Sequence, residues 1–257
     1  MTRKIILSDV GKTYRVRGRP IVALEHVSLE VADGEFVCIV GPSGCGKSTL
    51  LRILARLTPQ TTGEVTIVAG ERGKPAHSVV FQEHAVFPWK TAAENVAFGL
   101  EMRGVPEAER TAIAADWIDR VGLRDFADAY PRQLSGGMRQ RVGIARAFAN
   151  DPEMLLMDEP LGALDAQTRL ILMDELLRLW EADRKTVVYI THNIEEAVLL
   201  GDRVVLMTAR PGTPKATFTI PFARPRGMDA MASPEFGRLS YQIWEALRDE
   251  ALAAMRG

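Results

Sequence analysis

The feature that most constrains this sequence is a glycine-rich segment between a predicted strand and a predicted helix. Residues 41–48 read Gly-Pro-Ser-Gly-Cys-Gly-Lys-Ser, which has the spacing G-x-x-x-x-G-K-[ST]. The apolar run 35–40 precedes it, and leucines recur at helical spacing in 47–57. Such a loop turns its N–H groups inward, and the helix adds the positive end of its dipole. The segment therefore predicts a phosphate-binding loop, in preference to a glycine-rich turn with an incidental lysine.

Three side chains of this loop have a predicted chemistry. Lys47 would reach the β and γ phosphates of a nucleotide, and the Ser48 hydroxyl would bind Mg²⁺. Cys45 lies next to a helix N-terminus, which lowers the pKa of a thiol. We therefore expect alkylation of Cys45 to inactivate the protein and ATP to protect it. The alternative is an inert small residue that serves packing.

The composition is that of an ordinary globular chain. Of 257 residues 47% are hydrophobic and 25% charged, and 32 basic side chains oppose 33 acidic ones. Without a basic stripe, nucleic acid is not an expected partner. No apolar run approaches the roughly 20 residues that span a bilayer, and residues 1–10 are too polar for a signal peptide. With neither feature, the chain is expected to stay in the cytoplasm. Cys38 and Cys45 lack disulfide-framework or metal-ligand spacing, which fits a reducing compartment.

Alternating strand and helix patterns predict an α/β fold with a parallel sheet. The predicted strands are 5–10, 23–31, 35–40, 63–68, 79–81, 154–157, 186–191 and 203–207. The predicted helices are 47–57, 92–102, 107–121, 138–150, 166–182 and 194–200, followed by an amphipathic helix with Phe236, Leu239, Ile243 and Leu247 on one stripe. The mainly helical stretch 92–149 indicates an inserted subdomain. The Pro/Gly-rich segment 210–234 is expected to end the α/β part.

The predicted strand 154–157 ends in two carboxylates. Open parallel sheets bind their ligands at the carboxyl ends of the strands. Asp158 would hold Mg²⁺ directly or through water, and Glu159 would polarise a water toward the γ phosphate as a general base. Alone, this pair would also suit a solvated strand end, and it gains its meaning from the loop upstream.

The string Leu134-Ser135-Gly136-Gly137 opens a predicted helix. By itself it fits a serine N-cap followed by a glycine turn. Together with the loop and the carboxylate pair, it resembles the signature motif of the ABC ATPases, the ATP-binding subunits of ABC transporters. The resemblance covers about residues 7–207 and implies that Ser135, Gly136 and Gly137 contact the γ phosphate of ATP bound to a second copy. Their N–H groups and helix dipole suit that task.

The resemblance also implies a fold and its division along the chain. The fold would be α/β: a P-loop NTPase (RecA-like) core with an N-terminal antiparallel β subdomain and an inserted helical subdomain. The core would comprise residues 1–82 and 153–208, and the helical subdomain residues 83–152. Residues 209–257 would form a C-terminal extension with an amphipathic helix.

Four further residues match family positions. Tyr14 would stack on adenine, and Gln82 would sense Mg²⁺, assist catalysis and meet the membrane subunit. Asp165, after Leu164, would cross the dimer interface, and His192 would contact the γ phosphate. Without the resemblance, Tyr14 would be a packed tyrosine, Gln82 a polar strand end and Asp165 part of an ordinary turn. His192 would be a satisfied histidine beside a cap, because residues 193–196 resemble a capping box. The implied nucleotide-contacting loop comprises Gly41, Pro42, Ser43, Gly44, Cys45, Gly46, Lys47, Ser48 and Thr49.

Two positions depart from the family pattern. Asn193 stands where the family usually has Asp, and Gly162 where many members have Ser. Neither position supplies the general base or a Mg²⁺ ligand, so we expect small effects.

Several short strings are similar to those of the nitrate, sulfonate and taurine importer branch. They are Phe87-Pro88-Trp89-Lys90, Leu179-Trp180, Ala209-Arg210-Pro211-Gly212, Ser233-Pro234-Glu235-Phe236 and Ile243-Trp244. In that branch Arg commonly follows the Arg-Pro-Gly string, whereas Thr213 stands here. The likeness implies an importer of a small anion, in which Trp89 and the helix 92–102 receive the membrane subunit. The alternative for Trp89 is that it packs within its own subdomain.

The implied assembly is a homodimer that closes head to tail on two ATP molecules with Mg²⁺. Its partners would be two integral-membrane permease subunits and, indirectly, a solute-binding protein, with the chain peripheral on the cytoplasmic face of the inner membrane. One alternative is a soluble ABC ATPase acting on nucleic acid or ribosomes, although those relatives usually carry coiled-coil arms or fused ATPase domains. Another is a GTPase or small-molecule kinase, although no Asn-Lys-x-Asp guanine-reading string occurs.

Overall fold

The structure is a computed structural model that describes residues 2–68, 70, 73–82 and 85–256. The chain divides into two compact units, which we call unit 1 (Met1–Ala69 with Leu176–Gly257) and unit 2 (Gly70–Glu175). The strands are β1 (Arg3–Val16), β2 (Arg19–Ala32), β3 (Phe36–Val40), β4 (Thr62–Ile67), β5 (Ser78–Val80), β6 (Met154–Asp158), β7 (Thr186–Ile190), β8 (Arg203–Met207) and β9 (Pro214–Thr219). The helices are α1 (Lys47–Leu54), α2 (Ala92–Met102), α3 (Glu107–Arg120), α4 (Gly136–Ala149), α5 (Ala166–Asp183), α6 (Ile194–Leu200) and α7 (Pro234–Arg256).

Unit 1 begins with an antiparallel sheet in the order β2-β1-β4. Its long hairpin pairs Leu7 with Leu29 and ends with Val16 opposite Arg19. The strands are longer than the predicted 5–10 and 23–31. Register shifts interrupt the pairing after Leu7 and Val10, and such bulges break the side-chain alternation from which strand length is predicted.

The second sheet of unit 1 runs in the order β7-β3-β8-β9, with β3 parallel to both neighbours. All five residues of β3 are buried, as expected for a parallel strand with both faces covered. Phe36 packs edge-on against Trp180, with ring centroids 5.4 Å apart. The indole Nε1 of that tryptophan donates to the Lys185 carbonyl at 2.6 Å. The predicted α/β fold class is confirmed.

Strand β9 corrects the expectation that the α/β part ends before residue 210. It pairs antiparallel with β8, with Thr219 opposite Arg203 and Pro214 opposite Met207. It lies at the edge of the sheet, where a proline at the first strand position removes no required donor. Its burial alternates along the strand, but the surrounding prolines and glycines concealed that pattern.

Unit 2 contains the parallel pair β5-β6 and the helices α2, α3 and α4. Helix α2 has the predicted bounds because a full capping box fixes its start: Thr91 Oγ1 accepts from Glu94 N, and the Glu94 carboxylate accepts from Thr91 N. Helix α4 begins at Gly136 instead of the predicted Met138, since Ser135 is its N-cap.

Helix α7 confirms the predicted C-terminal amphipathic helix. Phe236 and Ile243 are buried, whereas Tyr241 and Trp244 are exposed. Within the described part of the chain, no helix combines the length and the apolar character that crossing a membrane requires.

Asn95 organises the segment that precedes α2. It is fully buried, and its Nδ2 donates to the carbonyls of Phe87 (3.2 Å), Lys90 (3.0 Å) and Thr91 (2.8 Å). Its Oδ1 accepts from Phe87 N at 2.7 Å. One side chain therefore fixes the backbone on both sides of Trp89.

Replacing Asn95 by Ala should destabilise the protein by about 2 to 4 kcal/mol, because buried backbone groups lose their partners. Denaturant unfolding of Asn95→Ala beside the exposed Gln242→Ala measures this effect. The control should change stability by less than about 0.5 kcal/mol. Equal stability of the two variants would contradict the assigned role of Asn95.

Candidate nucleotide-binding site

The predicted phosphate loop joins β3 to α1 within unit 1. Val40 is the last strand residue, and Lys47 is the first helical residue. Gly44 and Gly46 have φ of 74° and 109°, a region that residues with a side chain rarely enter. The strand, loop and helix follow one another as predicted.

The Lys47 ammonium ties the two ends of this loop together. The residue is only 5% exposed, and Nζ donates to the carbonyl oxygens of Gly41 at 2.8 Å and Pro42 at 2.9 Å. A buried charge requires such partners. The first turn of α1 carries no acidic residue, so no carboxylate in that turn would repel an anion bound at the helix N-terminus.

His192 lies at the same edge of unit 1 as the loop. Strands β3 and β7 are parallel, with Ile39 opposite Ile190. Gly41 and His192, each two residues further on, therefore both follow the carboxyl ends of neighbouring strands. The His192 side chain is exposed.

Only half of the capping box predicted after His192 is present. The Asn193 side chain accepts from Glu196 N at 3.0 Å, so this departure from the family pattern still caps α6. The Glu196 carboxylate instead accepts from the hydroxyls of Thr191 (2.8 Å) and Tyr189 (3.0 Å). Thr191 Oγ1 in turn accepts from Asn193 N at 2.9 Å. A buried hydrogen-bond network thus fixes the backbone around His192.

Tyr14 lies on β1 opposite Ile21 and is half-buried. The Lys12 ammonium lies 5.0 Å from the centroid of its ring, a cation–π distance. The predicted stacking of this ring on adenine stays a prediction.

In unit 2, strand pairing brings the predicted glutamine and general base together. Strands β5 and β6 are parallel, with Val80 opposite Met157. Gln82 and Glu159, each two residues further on, meet through a hydrogen bond of 3.3 Å from Nε2 to Oε2. Asp158, the last residue of β6, is 9% exposed. The sequence predicted these residues singly, and the parallel register explains their contact.

The backbone at Glu159 has an unusual conformation. Its φ of 45° is uncommon for a residue with a side chain, and its carbonyl accepts from Gly162 N at 3.1 Å. A Cβ added at Gly162 would lie 3.4 Å from the Glu159 oxygen, an ordinary contact distance. A serine would therefore fit, which agrees with the small effect expected from this departure.

The predicted signature and interface loop are neighbours within unit 2. The exposed Ser135 caps α4 by accepting from Met138 N at 3.2 Å. A Cβ on Gly137 would lie 2.9 Å from Thr168 Cγ2, so a larger residue there would force the Thr168 side chain to shift. Asp165 accepts from Thr168 N at 3.0 Å, and the bonds from the Thr168 N–H and hydroxyl lower the pKa of Asp165.

Arg210 is a residue of the loop's surroundings that sequence reasoning missed. Its Nε and Nη2 donate to the Gly44 carbonyl at 3.2 and 3.1 Å. The two residues are separated by 166 positions, so no local pattern predicts the contact. The only signal was the Ala-Arg-Pro-Gly string itself.

The predicted lowering of the Cys45 pKa is wrong. The residue is 1% exposed, and burial raises the pKa of its thiol. Lys47 lowers that pKa only in part. Burial outweighs the positive charge of Lys47, which favours the alternative of an inert packing residue.

The ABC transporter family profile matches residues 24–162. An uncharacterized ABC transporter ATP-binding protein of Methanocaldococcus jannaschii is 48% identical over 100% of this chain and 96% of its own. A nitrate import ATP-binding protein of Synechocystis is 42% identical, covering 94% of each chain. A taurine import ATP-binding protein of Rhizobium johnstonii is 45% identical over 88% of this chain and 89% of its own.

Solved structures agree with this likeness. A dimeric bacterial ABC transporter cassette is 38% identical, with a TM-score of 0.75, and covers 85% of this chain and 100% of that chain. The fold and the phosphate loop define a P-loop ATPase. The chain belongs to the ABC transporter family, as an ATP-binding subunit.

The burial of the Cys45 thiol can be tested by alkylation. In the folded protein at neutral pH, both Cys45 and the buried Cys38 should resist iodoacetamide, because burial raises the pKa of both thiols. Both should react in urea. Peptide mass spectrometry after timed labelling measures this. Labelling of Cys45 in the folded chain as fast as a free thiol would contradict the burial assigned to it.

Proposed function

We propose that this ATPase powers the import of a small anion, such as nitrate, a sulfonate or taurine. The single observation that carries this proposal is the likeness to nitrate and taurine import proteins over about nine-tenths of the chain. An importer's ATPase acts through separate membrane subunits. We therefore propose two integral-membrane permease subunits as direct partners and a solute-binding protein as an indirect one. The chain would lie peripherally on the cytoplasmic face of the inner membrane.

The phosphate loop is proposed to bind ATP through its backbone and Lys47. The paired carbonyls hold the Lys47 ammonium at the loop, where it would move to the β and γ phosphates when nucleotide binds. Residues 41–49 would supply N–H donors, Tyr14 would stack on adenine, and His192 would contact the γ phosphate. Each of these groups follows from the loop geometry or the family resemblance.

The available side chains fit Mg²⁺. No group of three or more His, Cys, Asp or Glu side chains in the described part of the chain could hold a metal by itself. Mg²⁺ is commonly bound by one or two carboxylates together with substrate phosphates. By the family resemblance, the Ser48 hydroxyl, the Gln82 carboxamide oxygen and the nearly buried Asp158 carboxylate would be its ligands, and all three are hard oxygen donors of the kind Mg²⁺ prefers. When bound, Mg²⁺ would neutralise charge on the phosphates.

Glu159 is proposed as the general base. The Gln82 carboxamide donates to one of its carboxylate oxygens at 3.3 Å and orients it. The positive φ of Glu159 belongs to the class of backbone strain that clusters at functional sites. The carboxylate would accept a proton from the water that attacks the γ phosphate.

The ATPase is proposed to work as a head-to-tail homodimer. Ser135 and Gly136 lie at the exposed or half-buried start of α4, where N–H groups and the helix dipole favour a phosphate. The likeness to a dimeric cassette supports this assembly. Asp165, exposed beside the signature turn, would lie at the dimer interface.

Trp89 is proposed to contact the membrane subunit. It is 70% exposed, although its ring lies 5.5 Å from that of Phe87. A large apolar side chain held outward by the Asn95 network suits a partner surface.

Replacing Glu159 by Gln should abolish turnover while leaving ATP binding intact, because the amide keeps the size of the side chain but cannot accept a proton. ATP should then hold the dimer closed. Turnover, equilibrium ATP binding and sedimentation should be measured together, with the exposed Glu109→Gln as matched control. Turnover by Glu159→Gln near the wild-type rate would rule out Glu159 as the base.

The partner surface can be mapped by crosslinking, because both native cysteines are buried. Trp89→Cys would introduce an accessible thiol, and Leu57→Cys, at a site 61% exposed, is the control. With membranes from the source cells, a thiol crosslinker should join Trp89→Cys to an integral membrane protein and Leu57→Cys far less. Equal crosslinking of the two variants, or recovery of the protein with ribosomes instead of a membrane protein, would contradict the proposal.

A further inference from the structure

A short segment of the C-terminal region packs on the outside of the phosphate loop in unit 1. We call residues 209–212 the brace. Besides the bonds from Arg210 to the Gly44 carbonyl, the brace approaches the loop through Gly212. A Cβ added there would lie 2.0 Å from the Cys45 carbonyl oxygen. Only glycine permits this backbone approach.

The brace is itself fixed on two sides. On one side Gly212 N donates to the Ala23 carbonyl at 3.0 Å, and Glu25 N donates to the Gly212 carbonyl at 3.1 Å. On the other side Ala209 N donates to Glu250 of α7 at 2.8 Å. The loop is therefore connected to the C-terminal helix through two adjacent residues, Ala209 and Arg210.

Glu250 is held in place for this contact. Its second carboxylate oxygen lies 2.7 Å from the Lys215 ammonium, and the side chain is only 17% exposed. The hydrogen bonds from Lys215 and from the Ala209 N–H lower the pKa of Glu250. The carboxylate is thus a fixed acceptor and not a freely rotating surface group.

Peptide geometry links this brace to phosphate binding. In a trans peptide the carbonyl and the following N–H point in opposite directions. Because Arg210 holds the Gly44 carbonyl, the Cys45 N–H points away from Arg210, toward the Pro42 carbonyl that Lys47 also meets. Its hydrogen bond to the Pro42 carbonyl is long, at 3.3 Å. Inward N–H groups are what a phosphate requires.

We propose that Arg210 is a positioning residue of the phosphate loop and that Glu250 of α7 sets its position, so that the C-terminal helix tunes ATP affinity. This inference rests on the proposed nucleotide-binding role of the loop. Arg210 acts by orienting the Gly44–Cys45 peptide and not by contacting the nucleotide. Loss of the brace weakens ATP binding and leaves the chemical step nearly unchanged.

The test measures KM and kcat for ATP hydrolysis by the full chain. Arg210→Ala should raise KM about fivefold with kcat within about twofold, since a charge-assisted hydrogen bond at a partly solvated site is lost. Arg210→Lys should recover part of the affinity. Glu250→Ala should raise KM about threefold, and Glu250→Gln less, because the amide retains an oxygen acceptor for Ala209 N. Arg238→Ala, an exposed change on the same helix, should match the wild type.

A double-mutant cycle tests whether Glu250 acts through Arg210. If Glu250 acts through Arg210, Glu250→Ala should add nothing in the Arg210→Ala background. If the KM increases of the two single variants multiply in the double variant, or if Glu250→Ala has a wild-type KM, the connection to α7 is overturned. A wild-type KM for Arg210→Ala, or a fall in kcat and thermal stability alone, would overturn the role of Arg210.

Lys47→Ala separates this inference from the proposed function. It should abolish ATP binding in an otherwise wild-type chain. If it does so while Arg210→Ala binds ATP normally, the brace inference alone fails. If the wild type binds no ATP, the proposed function fails as well.

Discussion

The nucleotide end of unit 1 depends on how one charged side chain is buried. The Lys47 ammonium is paired with the carbonyls of Gly41 and Pro42, and without them a buried charge would cost several kcal/mol. The loop must therefore turn these two carbonyls toward Lys47, so that its first residues fold back onto the first residue of α1. The Gly44 carbonyl points away, where Arg210 meets it. The burial of Lys47 thus fixes the loop backbone and leaves the Gly44 carbonyl available to Arg210 of the brace.

Residue patterns predicted the elements that carry the site. Helices 92–102 and 194–200 and the strand 203–207 have the predicted bounds, because each combines a clear periodicity with a capping residue or a turn. The three motifs were found because their chemistry requires contiguous residues: glycines with a lysine, paired carboxylates, and a capping serine with glycines. Motifs of contiguous residues can be recognised in a single sequence. The family resemblance added isolated residues such as His192.

What sequence reasoning missed depends on contacts between distant segments. Gln82 and Glu159 meet only because β5 and β6 pair in parallel, and Arg210 reaches Gly44 across 166 positions. Strand β9 was concealed by its prolines, and the Cys45 prediction failed because it weighed a helix terminus without the burial that opposes it. Pairing, register and burial are tertiary properties, so local patterns predicted the residues better than their environment.

In the proposed dimer each chain supplies complementary parts of two ATP sites, so that hydrolysis requires two copies. Turnover per chain, measured across a dilution series alongside sedimentation of the same samples, tests it most directly. Turnover per chain should rise with the dimer fraction and approach zero in dilute monomer, while ATP binding persists. Constant turnover per chain in samples that sediment as monomer would contradict it.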